Sequence, residues 1–322
     1  MRKNLMLSVA MAAATLLCQT ALAQNYPSKP IRLIVGFTPG GGVDINARLL
    51  GAKLSEYLGQ QVIVDNRPGA GTNIANEFVA KSAPDGYTLL MSTATVAINM
   101  ALYRKLNYDT LRDFAAVSQF SASPNILVVN ASVPVTSVAQ LVALARARPG
   151  VLNYASAGSG TTQHLSGELF KTRTGTDIVH IPYKGTAPAL TALIAANVDL
   201  SYANIPAIHQ HVKSGRLRPL ATTGPKRSEF MPEVPTMREA GVDMEVVVWY
   251  GVLAPAATPA EIVSKLAELV ARAARSPDIR QRLLDQGAEP VGNTPEEFSR
   301  QLRAEVTTWA EVVKTSGAKA DE

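Results

Sequence analysis

The chain has 322 residues, of which 47% are hydrophobic and 18% charged, so it can bury real cores and is not a disordered polymer. Its formal net charge of +5 comes without any run of interleaved basic and aromatic residues, and we therefore expect no nucleic-acid partner. Its single cysteine, Cys18, lies close to the N-terminus, inside the leader described next. The mature chain is therefore expected to contain neither disulfides nor thiolate metal sites.

The N-terminus has the pattern of a secretory signal. Arg2 and Lys3 precede an apolar stretch over residues 5–17, and Ala21-Leu22-Ala23 provides a small-x-small cleavage site. We predict a signal peptide over residues 1–23, cleavage after Ala23 and a periplasmic product. A retained membrane anchor is the alternative, but the apolar stretch is short for a membrane span.

The first part of the mature chain alternates strand and helix. Short apolar segments rich in β-branched residues predict strands, and glycine-rich turns followed by apolar residues at i, i+4 spacing predict helices. This β-α-β-α-β order is typical of a parallel sheet, in which the loops after the strands meet at one edge. Strands are predicted at residues 31–35, 61–65 and 88–92, helices after the first glycine turn, running through Leu58, and at 74–81, and candidate ligand loops at 37–42, 66–73 and 92–99.

A second α/β block follows a polar connection at residues 102–114 and repeats the order of strand, small-residue loop and helix start. After it, a strand at 217–222 leads back toward the first block, and the C-terminal elements are expected to rejoin that block. We therefore predict an α/β protein with two lobes: residues 24–123 and 224–322 form lobe 1, and residues 124–223 form lobe 2. The remaining predictions are strands at 125–129, 152–156, 177–181, 200–203 and 245–253, and helices at 138–146, 164–172, 189–196, 259–275, 277–286 and 295–314.

The stretch at residues 37–44 is a candidate anion site. A helix that starts beside glycines offers unpaired N–H groups and the positive end of its dipole, although any tight β-α turn has the same composition. A dinucleotide fingerprint is disfavoured, because Ile45 occupies the place of its third glycine and Asp44 would oppose a pyrophosphate. Asp44 either caps helix N–H groups or orders a water or a ligand group, and the sequence leaves both open.

Other polar residues allow catalytic or metal chemistry only weakly. Ser159 and His164 could form a hydrolase pair, but the glycines around Ser159 are too close together for a nucleophile elbow. A loop that holds an anion through hydroxyl and N–H groups is the stronger interpretation. His209 and His211 have no carboxylate or thiolate neighbour, so a solvated helix face is expected rather than a metal site.

Three residues near predicted strand ends have two interpretations each. Lys184, in the loop after a strand, either meets a carboxylate or points to solvent. Trp249 and Tyr250 end a strong β segment and either pack in a core or form an aromatic wall near a hinge.

Taken together, short motifs over essentially the whole mature chain resemble the substrate-binding receptors of tripartite tricarboxylate transporters, the TctC-like or Bug family. Each motif alone is weak, but they occur in family order. They are Phe37-Thr38-Pro39-Gly40-Gly41 with Asp44 and Ala47-Arg48; Asn66-Arg67-Pro68-Gly69-Ala70-Gly71; Pro84-Asp85-Gly86-Tyr87; Asn153-Tyr154-Ala155-Ser156 through Gly160, with His164-Leu165; Pro182-Tyr183-Lys184-Gly185 with Pro188-Ala189; Val234-Pro235-Thr236 with Glu239-Ala240-Gly241; and Trp249 with Gly251.

This resemblance implies a two-lobed type II periplasmic binding protein, or Venus flytrap, with a ligand cleft between the lobes. It implies a small carboxylate ligand, delivery to membrane permease subunits, no cofactor, no metal and no catalysis; we expect a monomer. A secreted hydrolase using Ser159 and His164, or a receptor that feeds a sensor, are the alternatives. The candidate ligand-binding residues are Phe37, Thr38, Pro39, Gly40, Gly41, Asp44, Gly71, Thr72, Thr93, Ser156, Gly158, Gly160, Thr161, His164, Lys184 and Asn204.

The chain departs from the family pattern at two places. Thr72 and Ala75 stand where glycine is frequent, which could reshape a wall of the cleft. Ala196-Asn197 replaces a usual Gly-Gly pair, and there we expect an effect on a helix end only.

Overall fold

The structure is a computed structural model that describes residues 26–320. The predicted signal peptide and its cleavage site lie outside these residues. The described chain forms eleven strands: β1 (Ile31–Val35), β2 (Val62–Asn66), β3 (Thr88–Ser92), β4 (Phe114–Pro124), β5 (Ile126–Asn130), β6 (Asn153–Ser156), β7 (Val179–Pro182), β8 (Leu200–Ala203), β9 (Leu217–Thr222), β10 (Val247–Pro255) and β11 (Glu289–Pro290).

Helices separate most of these strands. A helix begins two or three residues after β3 and after β8, and four to seven residues after β1, β6 and β7, so that strand end, loop and helix start form one unit. They are α1 (Gly42–Leu58), α2 (Asn73–Ala80), α3 (Thr95–Leu102), α4 (Val138–Ala147), α5 (Thr162–Thr174), α6 (Thr186–Ile194), α7 (Ile205–Lys213), α8 (Ala260–Arg275), α9 (Pro277–Leu284) and α10 (Pro295–Ser316).

The strands form two sheets, each with helices packed on it. The first has six strands in the order β11-β4-β10-β3-β1-β2, and the second has five in the order β7-β6-β8-β5-β9. Strand β1 pairs in parallel with both β2 and β3, as the β-α-β-α-β pattern predicts. We call the six-stranded sheet with its helices the first lobe and the five-stranded sheet with its helices the second lobe.

The chain passes between the lobes at two places. Strand β4 ends at Pro124 and β5 starts at Ile126 in the other sheet, and the chain returns between β9 and β10. The last helix, α10, packs on α3 and β4 of the first lobe and also on α5 of the second. The predicted two-lobed α/β architecture is confirmed.

Three elements differ from the sequence prediction. Strand β4, FAAVSQFSASP, carries too many small and polar residues to show a strand pattern, yet most of it is buried. Helix α3 lies where a loop was expected, since its sequence is apolar on nearly every side and has no amphipathic period. Strand β9 does not return to the first sheet but pairs with β5 at the edge of the second.

Candidate functional site

A cleft lies between the two lobes, at the carboxyl ends of the parallel strands. Both lobes contribute to its walls. The lining residues are Phe37, Gly41, Gly42, Val43, Thr93, Thr95, Asn125, Ala157, Thr161, Thr162, Gln163, Thr186, Asn204, Val248 and Tyr250.

Five helices present their N-terminal ends to this cleft. The lining includes first-turn residues of α1, α3, α5 and α6, and Asn204, the residue that immediately precedes α7. The first N–H groups of a helix have no partner within that helix, and the dipole places partial positive charge there. Two of these helices belong to the first lobe and three to the second, so both sides offer hydrogen-bond donors to an anion.

The lining carries no Asp, Glu, Lys, Arg or His. Its one titratable side chain is Tyr250, where burial raises the pKa to about 12 despite a hydrogen bond with the Ser123 side chain. The phenol therefore stays neutral. The cleft combines neutral donors and acceptors with an apolar share from Phe37, Val43 and Val248.

An ion-pair network supports the loop between β1 and α1 from behind. The buried Asp44 carboxylate accepts hydrogen bonds from the Gly40 N–H (3.0 Å), from Arg48 Nε (2.9 Å) and from Asn66 Nδ2 (2.9 Å). Asn66 Nδ2 also donates to the Phe37 carbonyl oxygen at 3.1 Å. Asp44 is not part of the cleft lining. Of the two roles left open by the sequence, the geometry favours the bracing of the backbone.

The same contacts set the charge state of Asp44. Burial alone would raise its pKa, but hydrogen bonds from Arg48, from the Gly40 N–H and from Asn66 outweigh burial and hold the pKa below the usual value. The carboxylate therefore remains ionised and stays bonded to the loop at neutral pH.

The loop between β6 and α5 is held by neutral groups. Thr161 caps α5, because its Oγ1 accepts from the His164 N–H (3.3 Å), and the same hydroxyl donates to the Gly158 carbonyl oxygen at 2.7 Å. Ser156 Oγ accepts from the Gly158 N–H at 3.1 Å and lies 2.7 Å from His180 Nε2. Ser156 and Gly158 thus shape the turn, while Thr161 also reaches the cleft.

Two stacked imidazoles lie behind this turn. The rings of His164 and His180 are 4.0 Å apart and inclined by 15°, and His164 Nδ1 accepts a hydrogen bond from the Gly160 N–H at 3.2 Å. Burial, followed by the proximity of His164 and Lys171, lowers the pKa of His180 to about 3. His164 therefore supports the backbone of the loop, a role that does not require the Ser159–His164 pair of a hydrolase.

The remaining predicted residues lie around the cleft without lining it. Pro39 and Gly40 are exposed on the loop, as is Lys184 on the other lobe, which leaves Lys184 pointing to solvent. Gly71 and Thr72 belong to a short 3-10 turn between β2 and α2. Phe37, Gly41, Thr93, Thr161 and Asn204 are the predicted residues that the cleft brings together.

The two lobes touch through glycines. A Cβ at Gly185 would collide with Thr38 Oγ1, and one at Gly160 with Asn99 Oδ1. A Cβ at Gly71 would lie 2.6 Å from the carbonyl oxygen of Ser159. These approaches make Gly71 and Gly160 contact positions between the lobes: a side chain at Gly71 would press on the backbone of the other lobe, and one at Gly160 would require the Asn99 side chain to move.

The sequence prediction missed several lining residues. Thr95, Thr162, Gln163 and Thr186 lie in the first turns of helices, and although Thr95 falls inside the candidate loop at 92–99, none of the four was chosen as a ligand residue. Their signal was available, since a strand end followed within a few residues by a helix start predicts donors at that start. Asn125 had no such signal, because it lies where the chain crosses between the sheets.

Trp249 and Tyr250 are neighbours in β10, and each has one of the two roles considered for them, core packing or a cleft wall. Trp249 packs edge-on against Phe298 in the core, with ring centroids 5.2 Å apart. Tyr250 faces the cleft. This follows from the strand, in which successive side chains point to opposite faces.

Two lining carboxamides have a buried atom without a hydrogen-bond partner. These atoms are Nδ2 of Asn125 and Oδ1 of Asn204. Buried polar groups are nearly always paired, so unpaired ones in a cleft indicate where a bound molecule could form hydrogen bonds.

Within residues 26–320, no helix combines the length and apolar character needed to cross a bilayer. The same residues contain no cluster of three or more His, Cys, Asp or Glu side chains arranged to hold a metal ion.

Comparison with known proteins identifies relatives of the same architecture. Residues 46–318 match the family described as "Tripartite tricarboxylate transporter family receptor". The chain is 40% identical over 300 residues to Protein BugT of Bordetella pertussis, covering 92% of each chain.

Solved structures of the same kind are similar over most of the chain. R. palustris Rpa4515 with adipate is 43% identical, with a TM-score of 0.88 over 92% of this chain and 100% of that one. MatC (Rpa3494) from Rhodopseudomonas palustris with bound malate is 32% identical, with a TM-score of 0.85 over 89% and 100%. The periplasmic binding protein BugD is 31% identical, with a TM-score of 0.87 over 92% and 100%. The chain therefore belongs to the tripartite tricarboxylate transporter receptor family.

Proposed function

We propose that this protein is an extracytoplasmic receptor that binds a small carboxylate in the cleft between its lobes. The observation that carries the proposal is the convergence of five helix N-termini on a cleft without charged side chains. Such a site stabilises an anion through N–H groups and helix dipoles, with no need for a cation. The adipate bound to Rpa4515 and the malate bound to MatC support a carboxylate as the ligand.

Both lobes contribute contacts in this proposal. The N–H groups at the starts of α1 and α5 hold the carboxylate, and the side chains of Thr93, Thr161 and Asn204 line its surroundings. Asp44, Ser156 and His164 act from behind by fixing the two loops. The lobes correspond to residues 24–123 with 224–322 and to residues 124–223.

The test is calorimetric titration of the purified mature protein with mono-, di- and tricarboxylates, together with Gly42→Ala. A Cβ at Gly42 would lie 2.6 Å from Tyr250 OH and 3.0 Å from Asn204 Nδ2, inside the cleft. Gly51→Ala on the same helix is the matched control, because its Cβ meets only ordinary contacts at 3.5–3.6 Å. We expect Gly42→Ala to weaken binding at least tenfold, equivalent to about 1.4 kcal/mol, and Gly51→Ala to leave it unchanged.

Two results would contradict the assignment. Binding of amines, sugars or nucleotides with no response to any carboxylate would exclude a carboxylate receptor. Full affinity in Gly42→Ala would place the ligand outside this cleft.

We further propose that the protein acts as a monomer in the periplasm, after cleavage behind Ala23, and passes its ligand to membrane permease subunits. Deletion of the receptor should then abolish uptake of the radiolabelled ligand, and the plasmid-borne chain should restore it. Unchanged uptake combined with a lost transcriptional response to the ligand would favour the sensor alternative. Mass spectrometry of the secreted chain checks the cleavage site, and light scattering checks the monomer.

The same proposal excludes catalysis. A panel of activated esters should show no turnover above background. Turnover that disappears in Ser159→Ala would instead establish the hydrolase alternative.

A further inference from the structure

The contact between the two lobes buries two polar oxygens of the first lobe. Thr38, in the loop between β1 and α1, lies against Gly185, the residue before α6, so closely that a Cβ on Gly185 would collide with Thr38 Oγ1. Asn99, on α3, lies against Gly160 in the loop between β6 and α5, where a Cβ would collide with Asn99 Oδ1. Each oxygen therefore faces a glycine of the other lobe.

Neither oxygen has a hydrogen-bond partner among the described residues, although both are buried. The orientation of the Asn99 carboxamide is fixed, because its Nδ2 donates to the Gly71 carbonyl oxygen at 2.8 Å and to Asn73 Oδ1 at 2.7 Å. A half-turn of this group would place its oxygen against two acceptors. The amide oxygen of Asn99 thus stays at the contact between the lobes.

A ligand in the cleft does not satisfy these oxygens, because neither Thr38 nor Asn99 belongs to the lining. Separation of the lobes would expose both oxygens to water, which can donate to each of them. A buried polar atom without a partner carries the full cost of its lost hydration. The closed arrangement of the lobes therefore includes a cost that an open arrangement does not have.

We propose that the Thr38 hydroxyl and the Asn99 amide oxygen hold the empty receptor open, so that the lobes close only when a bound ligand offsets the burial of these oxygens. A ligand that requires the closed form binds with an affinity reduced by the fraction of receptor that is closed beforehand. The two oxygens therefore lower the affinity and make closure depend on the ligand. This inference rests on the proposed receptor function and adds a means of keeping the empty form distinct from the loaded one.

The first test measures the empty receptor. The predicted mature chain has no cysteine, so Ala52→Cys on α1 and Thr191→Cys on α6, both exposed, can carry a pair of spin labels on opposite lobes. Pulsed electron paramagnetic resonance then gives the distance between the labels, and the present structure defines the closed distance. We expect mainly a longer distance in the labelled parent. Thr38→Ala should raise the ratio of closed to open receptor about tenfold.

Thr38→Ser is the matched control, because it keeps the hydroxyl and loses only the methyl group. It should retain the open population of the labelled parent. Calorimetry with the tightest-binding acid of the carboxylate panel should show about tenfold tighter binding for Thr38→Ala and a change within about twofold for Thr38→Ser. Thermal unfolding without ligand verifies that both variants are folded.

Two results would overturn the inference. The first is an equal closed fraction in Thr38→Ala and Thr38→Ser. The second is weaker binding by Thr38→Ala, which would mean that the hydroxyl serves the ligand rather than the open form. Failure of every acid to bind would instead refute the carboxylate function, while the label distances in the empty protein would still test the role of Thr38.

Discussion

The two lobes hold their ligand loops by different chemistry. Behind the loop between β1 and α1 stands an ionised group, Asp44, bonded to Arg48, Asn66 and a loop N–H. Behind the loop between β6 and α5 stand uncharged groups, His180, Ser156 and Thr161, with His164 stacked on His180. The cleft between them has no charged side chain, so each lobe places its titratable support one layer away from the ligand.

This difference gives the lobes different responses to acid. Asp44 stabilises its loop as an anion, because its pKa in the fold lies below the usual value. His180 stabilises its loop as a neutral ring, because its pKa is lowered to about 3. Acid therefore weakens both loops, but it acts on the second lobe at a higher pH.

The largest expected effect is the pH dependence due to His180. Its folded-state pKa lies below the unfolded value near 6.5, so its contribution is complete above pH 6.5 and is lost as pH falls toward 3. The full difference corresponds to an upper limit of about 5 kcal/mol. Urea unfolding at several pH values should show that the difference between wild type and His180→Gln changes within this window.

The carboxylates titrate in the wild type and in His180→Gln alike, so their contribution cancels in the difference between the two unfolding free energies. His211→Gln, on α7 and outside this network, serves as the control and should follow the wild type. Parallel pH curves for wild type and His180→Gln would contradict the assigned contrast between the lobes.

Asp44→Asn tests the other side of the comparison. The substitution removes the charge from a buried carboxylate whose partner Arg48 is half exposed, with 53% of its side chain accessible. We expect a loss of about 2 kcal/mol in the free energy of unfolding and weaker ligand binding, because the loop loses its fixed position. Since the pKa of Asp44 is lowered, this contribution is present above about pH 3.8 and disappears below its folded-state pKa.

Glu56→Gln provides the control for Asp44→Asn. Glu56 forms an exposed ion pair with Lys53 on the same helix at 2.9 Å, where no measurable change is expected. If Asp44→Asn unfolds and binds like the wild type, the ion pair does not support the loop.

Helix capping gives a smaller contrast. Gly41, the residue before α1, provides no side-chain cap, whereas α5 is capped by Thr161. Thr161→Ala should cost about 1 kcal/mol of stability and also weaken ligand binding, because Thr161 lines the cleft. Ser137→Ala removes the cap of α4, away from the cleft, and should reduce stability alone. Equal effects of both substitutions on binding would mean that Thr161 acts only through the helix.

The smallest effect concerns two residues in the left-handed region. Ala196 (φ 59°) is exposed after α6, so Ala196→Gly should stabilise the fold by about 1 kcal/mol or less. Thr72 (φ 76°) is buried, and its Oγ1 accepts a hydrogen bond from Asn76 at 3.2 Å. Thr72→Gly loses that bond and should bring no gain. Thermal unfolding of the two variants checks both expectations, and Ala195→Gly (φ −77°) serves as a control that should be destabilised.

The sequence was informative where one local pattern determines the structure. The β1 segment is short and apolar, which favours a buried strand, and the proline and glycines that follow it favour a turn. The strand and the turn after it were therefore predicted closely. The same holds for the C-terminal helices, which begin at or beside prolines and acids. Strand β4 was missed because its small and polar residues show no strand pattern, and its burial depends on tertiary contacts.

The cleft was predicted in outline and not in detail. Glycine loops mark where a backbone turns, and Gly41 and Thr161 were found in this way. The side chains that complete the walls, such as Gln163 and Thr186, depend on how the lobes face one another. Asn125 depends on the crossing point between two sheets, which no short sequence pattern specifies. Lys184 was a candidate because it is a charged residue in a loop after a strand, but its side chain is exposed and does not line the cleft.

The glycine contacts between the lobes have a consequence for how tightly the receptor closes. Gly185 against Thr38 and Gly160 against Asn99 leave no room for even one methyl group, and neither pair lines the cleft. A methyl at Gly185 would press on Thr38 and should oppose the close approach of the two lobes without replacing any residue of the cleft lining. The residues that offer hydrogen bonds to a ligand are thus different from the residues that set how near the two lobes can come.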